Sequence, residues 1–156
     1  MAGRSTRKKP SAARTVTEVM VRDVVTIDDS ATLLQAAEKM RDANVGMLPV
    51  MEDSALRGIV TDRDLVVRAM TRDVRPSEVR VGECLSAPPH CAEPDWSLDE
   101  AMEEMARQQV GRLPVVDPQR RVVGVVTLSS LALRSPQRQE TLETAQEVSR
   151  RSARIA

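Results

Sequence analysis

The chain has 156 residues, with 23 Lys and Arg against 23 Asp and Glu, so it carries no net charge with which to seek nucleic acid. Phe and Tyr are absent and Trp96 is the only aromatic residue, which leaves no stacking platform for an RNA-binding sheet or a single-strand groove. With 41% hydrophobic and 29% charged residues the composition is that of a soluble globular domain with a Val, Leu, Ile, Met and Ala core, and no apolar run approaches the roughly 18 residues of a membrane span.

Residues 1–14 form a basic head with Arg4, Arg7, Lys8, Lys9 and Arg14. No apolar stretch follows, so the sequence predicts a solvated tail rather than a secretory signal, and a cytoplasmic protein. A short extended segment is predicted at Val24–Ile27. Thr32 with Gln35 then has the spacing of a capping box, and Leu33, Ala36, Ala37 and Met40 recur at helical spacing as one apolar stripe. An apolar strand, Val45–Met51, a polar turn, Glu52-Asp53-Ser54, and a second strand, Leu56–Val60, read as a hairpin. A second helix starts at Thr61, with Leu65, Val66, Ala69 and Met70 as its apolar face.

The same order then returns. Shifted by 65 residues, Ser30–Met40 falls on Asp95–Met105 and Val45–Val50 on Val110–Val115; one inserted residue in the turn makes the shift 66, and Gly58–Leu65 falls on Gly124–Leu131. The second unit therefore has an extended segment at Pro89–Ala92, a capping box at Ser97 and Glu100, and a helix stripe of Leu98, Ala101, Met102 and Met105. Strands at Val110–Val116 and Val122–Val126 follow, then a helix from Thr127. The predicted domains are repeat one, 15–72, a linker, 73–78, and repeat two, 79–134. Residues 135–156 read as a further helix, with Leu142, Ala145 and Val148 on one face and Arg150, Arg151 and Arg154 at its end.

The predicted fold is α+β: two β-α-β-β-α repeats. A unit of about 55 residues buries too little surface to stand alone, so the two are expected to pack through their sheets about a pseudo-twofold axis, with ligand-sized clefts between them. The surface left over favours a homodimer.

Cys84, His90 and Cys91 are the only sulfur and imidazole donors close in sequence, and the chain has one histidine in all. That donor set does not make a structural zinc site, and two buried free thiols are the expectation over a Cys84–Cys91 disulfide. No nucleophile, general base and orienting group converge in a motif, so no catalytic residue is assigned.

Thr61 opens a helix whose free backbone N–H groups suit a phosphate, and one turn on Asp64 offers an acceptor-only carboxylate for the paired hydroxyls of a ribose. The same spacing is also that of a threonine cap with an acidic first turn and no ligand at all.

The segments Val-Gly-Met-Leu-Pro-Val (45–50) and Gly-Ile-Val-Thr-Asp-Arg-Asp (58–64), repeated as Val-Gly-Arg-Leu-Pro-Val (110–115) and Gly-Val-Val-Thr-Leu-Ser-Ser (124–130), resemble a tandem pair of cystathionine-beta-synthase (CBS) domains, of the small bacterial stand-alone kind that includes the hypoxic response proteins. The resemblance covers about 120 residues and implies a regulatory module that binds an adenosyl compound such as AMP, ADP, ATP, S-adenosylmethionine or NAD, with no required cofactor. It places Thr61 and Asp64 at the phosphate and ribose. Ile59 and Val110 would wall the adenine, and Gly111, Arg112, Pro89 and His90 would complete the site from repeat two, with the Arg112 guanidinium on phosphate. A second, weaker cleft would be lined by Val25, Val45, Met47, Val125, Thr127 and Ser130. There Ser130 replaces the ribose acid and Met47 the base. With no second domain to regulate, the output passes to an unidentified partner protein; the other reading is a dimerisation or interaction scaffold whose cleft holds nothing.

Overall fold

The computed structural model describes residues 15–134 together with Glu143, Ala145, Gln146 and Val148. The expectations for the basic head and for Leu142, Arg150, Arg151 and Arg154 lie outside those residues; Glu143, Ala145, Gln146 and Val148 are helical.

Helix α1 (Val16–Val19) is a single turn. The first long helix of each repeat, α2 (Leu33–Ala43) or α4 (Leu98–Gln108), starts at the predicted capping box. The Gln35 amide donates to Thr32 Oγ1 while the Thr32 amide donates back to Gln35 Oε1; Ser97 and Glu100 repeat the pattern. Both helices end on a left-handed residue, Asn44 at φ 53° and Gln109 at φ 54°. The next amide turns back to satisfy a helix carbonyl, Val45 to Met40 and Val110 to Met105, each at 3.0 Å. Leu33, Ala36 and Met40 are buried as predicted, but Ala37 faces solvent.

Strand β1 (Ile27–Asp28) runs parallel to β2 (Met47–Glu52), which pairs antiparallel with β3 (Ala55–Thr61). The hairpin turns on Asp53 and Ser54, at φ 48° and 68°, the two positive-φ positions that a two-residue turn needs to match the twist of its strands. In repeat two β4 (Arg112–Val116) pairs with β5 (Val122–Thr127). Its longer turn is held by the Asp117 carboxylate, which accepts the Gln119 and Arg121 amides, with Arg120 at φ 61° absorbing the inserted residue.

The extended segments are shorter than predicted: Val24–Ile27 contributes only its end to β1, and Pro89–Ala92 only a parallel bridge from Ala92 to Val115. The cause is a crossing of chains. Val16, Val19 and Met20 lie in the core of repeat two, with Leu98, Met105, Leu113, Val126 and Leu131. Val81 and Cys84, from a 3-10 turn at Val81–Glu83 and its end, lie in the core of repeat one, with Ile27, Leu33, Leu48, Val50 and Val60. Each leading segment is tied there by backbone bonds: Val16 to Trp96 at 2.8 Å in one direction, Val81 to Ala31 at 2.8 Å in the other. Fully burying a valine is worth about 1.5–3 kcal/mol, so each repeat holds the other's leading segment.

The second helix of each repeat begins where the hairpin ends. Asp62–Asp64 (α3) continues as π-helical turns over Leu65–Met70; in repeat two, α5 spans Leu128–Arg134. Ala69 is buried and Leu65 packs against the core, whereas Val66 and Met70 are exposed, which corrects the four-residue apolar face. The core beneath this helix takes only Leu65 and Ala69, and the side bearing Val66, Val67 and Met70 faces solvent.

Candidate nucleotide clefts between the repeats

The two helix starts after the hairpins carry the residues singled out in the sequence. At the first, the Thr61 amide and hydroxyl donate to Asp64 Oδ2 at 2.9 and 2.8 Å, and the Asp64 amide donates to Thr61 Oγ1 at 3.2 Å. The threonine cap predicted as the alternative to a ligand is thus formed, as a full capping box with Asp64, and it occupies one carboxylate oxygen. The other, Oδ1, lies 3.4 Å from Arg68 Nε. At the second, Ser130 takes the place of the acid: the Thr127 amide donates to Ser130 Oγ at 3.1 Å and the Ser130 hydroxyl donates to the Thr127 carbonyl at 2.9 Å.

Beside each helix start lies the leading segment from the other side of the molecule. Val21 exchanges two backbone hydrogen bonds with Val125, both 2.8 Å, and Ser86 exchanges two with Ile59, at 2.8 and 3.2 Å. Glycine one residue before each partner makes the approach feasible. A Cβ on Gly58 would come within 2.7 Å of the Ser86 carbonyl oxygen, and one on Gly124 within 2.5 Å of the Met20 sulfur.

Between the repeats, next to Thr127, is a cavity of about 180 Å³. Repeat one supplies Val45, Met47 and Pro49, and β5 supplies Val125 and Thr127; the leading segment adds Val25. Five of the six residues predicted for the second cleft therefore meet there, with Ser130 bonded to the fifth. The expectation that this cleft lacks a base is corrected. Arg112 lines it, because the hairpin register sets Arg112 opposite Thr127. The sequence reading also missed Val21, Asp23, Val24 and Pro49, of which Asp23 brings a carboxylate.

The residues predicted around Asp64 are placed as follows. Ile59 sits on the Ser86 bridge, and the Pro89 carbonyl accepts from the Cys91 thiol at 3.6 Å. His90 Nδ1 is 3.6 Å from Oε1 of Glu104, a buried carboxylate on α4 that also pairs with Arg107. Val110 packs on the core of repeat two, and the Gly111 carbonyl accepts the Leu128 amide at 3.0 Å.

Both cysteines are free thiols; burial pushes the Cys91 thiol up, against a smaller opposing effect of Arg120. Among the described residues no three His, Cys, Asp or Glu side chains are grouped to hold a metal, and no helix is long and apolar enough to cross a membrane. What the cleft by Thr127 offers is a guanidinium for an anion, a carboxylate for hydroxyl groups and aliphatic walls for a flat base.

The family model for the CBS domain matches twice, at residues 16–71 and 81–135. The chain belongs to the CBS domain family. It is a tandem pair, as the duplicated motifs implied. It is 38% identical over 118 residues to the CBS domain-containing protein YhcV of Bacillus subtilis, covering 76% of this chain and 83% of that one. To Hypoxic response protein 1 of Mycobacterium tuberculosis it is 31% identical over 124 residues, covering 79% and 86%. A crystal structure of Hypoxic Response Protein I with two coordinated zinc ions superposes with a TM-score of 0.72 at 31% identity, over 78% of this chain and 99% of that one. CBSX2 in complex with AMP shares the fold, with a TM-score of 0.69 at 23% identity over 81% and 99%.

Proposed function

We propose that this chain is a non-enzymatic sensor that binds an adenosine-bearing ligand, of the AMP, ADP, ATP, S-adenosylmethionine or NAD class, between its repeats and changes the surface it offers to a partner protein. The observation that carries the reading is the meeting of Arg112, Asp23 and Thr127 with the aliphatic walls of Val25, Val45, Met47 and Val125 in one cleft. Arg112 takes the phosphate, Asp23 accepts from ribose hydroxyls, and the base rests on valines, since no Phe or Tyr is available to stack it. At about 180 Å³ the cavity is below the roughly 300–1,000 Å³ of a site that engulfs a drug-sized ligand, so it encloses only part of such a ligand and leaves the rest at its rim. The AMP complex of CBSX2 supports this ligand class. The head at Thr61 and Asp64, at the end of the strand that carries Ile59, is proposed as the mate position; Pro89, His90, Val110 and Gly111, assigned to it from the sequence, make their contacts with Cys91, Glu104, the core of repeat two and Leu128.

The exposed Val66, Val67 and Met70 on the π-helical segment and Leu133 on α5 support self-association of the chain as a homodimer through these helices. One observation favours the scaffold reading instead: both carboxylate oxygens of Asp64 already face internal partners.

Thermal unfolding with AMP, ADP, ATP, S-adenosylmethionine and NAD separates the two. A ligand at about 100 times its dissociation constant adds about 2.7 kcal/mol, a rise of roughly 5 °C or more for a chain of this size. The sensor requires that rise with at least one ligand and a smaller one in Arg112→Met. No shift with any of them overturns the sensor reading for this ligand class and favours the scaffold.

A further inference from the structure

Arg68 is the most heavily bonded side chain near either helix start. Its Nη1 donates to the carbonyls of Cys84 and Leu85 at 2.7 and 2.8 Å, its Nη2 donates to Ser86 Oγ at 3.2 Å, and its Nε faces Asp64 Oδ1 at 3.4 Å. The acceptors lie on the segment that leads from repeat one into repeat two and whose Ser86 is bridged to Ile59. The guanidinium is therefore fixed from one side by backbone while its remaining edge covers the one Asp64 oxygen that the capping box leaves free. Asp64 is 16% exposed and Arg68 36%, so the pair is partly screened and can be opened.

The geometry points to Arg68 as an internal competitor for Asp64. A ribose hydroxyl pair arriving at this head must share or displace the contact with Nε, so the Asp64 head is latched and takes ligand less readily than the Thr127 head. Ser130 carries no charge for a base to cover. By linkage, whatever Arg68 contributes to the latched state is subtracted from ligand affinity there, and removing the competitor raises that affinity. This rests on the reading that an adenosyl ligand binds between the repeats.

The test is a titration of the full chain with AMP, followed by the NMR amide shifts of Thr61–Asp64 and, separately, of Thr127–Ser130. Arg68→Gln keeps a donor for the segment carbonyls and removes the charge. The expected result is an AMP affinity at the Asp64 head about twofold to fivefold higher than in the unaltered chain, the range of a partly exposed ion pair, with the Thr127 head unchanged. Arg68→Lys, which retains the charge, returns the Asp64 head to its original affinity, and Asp64→Asn added to Arg68→Gln removes the gain. A merely structural role for Arg68 would weaken both heads together. Equal or weaker binding at the Asp64 head in Arg68→Gln, with the Thr127 head still responding, overturns the latch alone. No AMP response at either head in any variant overturns the latch and the sensor reading with it.

Discussion

Asp64 and Ser130 stand at matching positions, three residues after a capping threonine, and the molecule treats them in opposite ways. Asp64, the residue whose charge marks it for a ligand, is bound to its own cap and faced by Arg68. Ser130 caps Thr127 as a neutral group, and the cleft beside it is the one in which a guanidinium, a carboxylate and aliphatic walls from both repeats meet. A charged side chain next to a helix start is attractive to a ligand and to the protein's own bases alike. On the proposed reading, binding capacity follows which polar groups are left facing the cleft, and residue type alone does not report that.

The largest expected contrast is at the two glycines under the crossing segments. Gly58→Ala drives a methyl against the Ser86 carbonyl oxygen, a backbone atom, at 2.7 Å, whereas Gly124→Ala chiefly meets the flexible Met20 side chain. Both overpack, by about 1–3 kcal/mol, and urea unfolding should put Gly58→Ala near the top of that range and Gly124→Ala near the bottom. Equal values would mean that the two crossings are equally rigid.

Next is the base in the open cleft. A hydrogen bond to a charged group contributes about 1.5–3 kcal/mol, so Arg112→Met should weaken AMP binding about 10- to 100-fold by calorimetry and leave adenosine, which has no phosphate, nearly unaffected. An equal loss for both compounds would place Arg112 on the sugar or base. Asp23→Asn, by contrast, should weaken adenosine and AMP alike, by about tenfold or less, because a neutral acceptor remains.

The smallest contrast is in acid, where the capping boxes differ. Glu100 is held below its usual carboxylate range by the Ser97 amide and hydroxyl, while Gln35 in the matching box of α2 does not titrate. A carboxyl depressed in the folded state contributes stability that is present above its unfolded value, about 4.3 for Glu, and is lost as pH falls through the lower folded value. Amide exchange at the start of α4 should therefore rise relative to α2 as pH is taken from about 5 to below 4, and Glu100→Gln should abolish the difference.

Much of this architecture is legible in the residue order because it is local. Capping boxes, helix stripes and hairpins are set by neighbours three or four positions apart, and the 65-residue duplication makes each of them visible twice. The crossing of α1 into repeat two and of Val81–Cys84 into repeat one has no such mark: it joins short segments with no period of their own to strands far along the chain. The placement of Arg112 was hidden for a related reason. Which side of the axis it serves depends on the register that sets it opposite Thr127, in a hairpin whose register shifts between Val115 and Val116. Asp23 lies on the same crossing segment, where repeat-to-repeat alignment offers Pro88 and no second acid.

A crystal structure of the chain grown with saturating AMP tests the central claim most directly. The account predicts AMP between the repeats beside Thr127, its base against Val25 and Val125 and its phosphate within hydrogen-bond distance of Arg112. An AMP-free cleft at saturation, or AMP held elsewhere without Arg112, would contradict it.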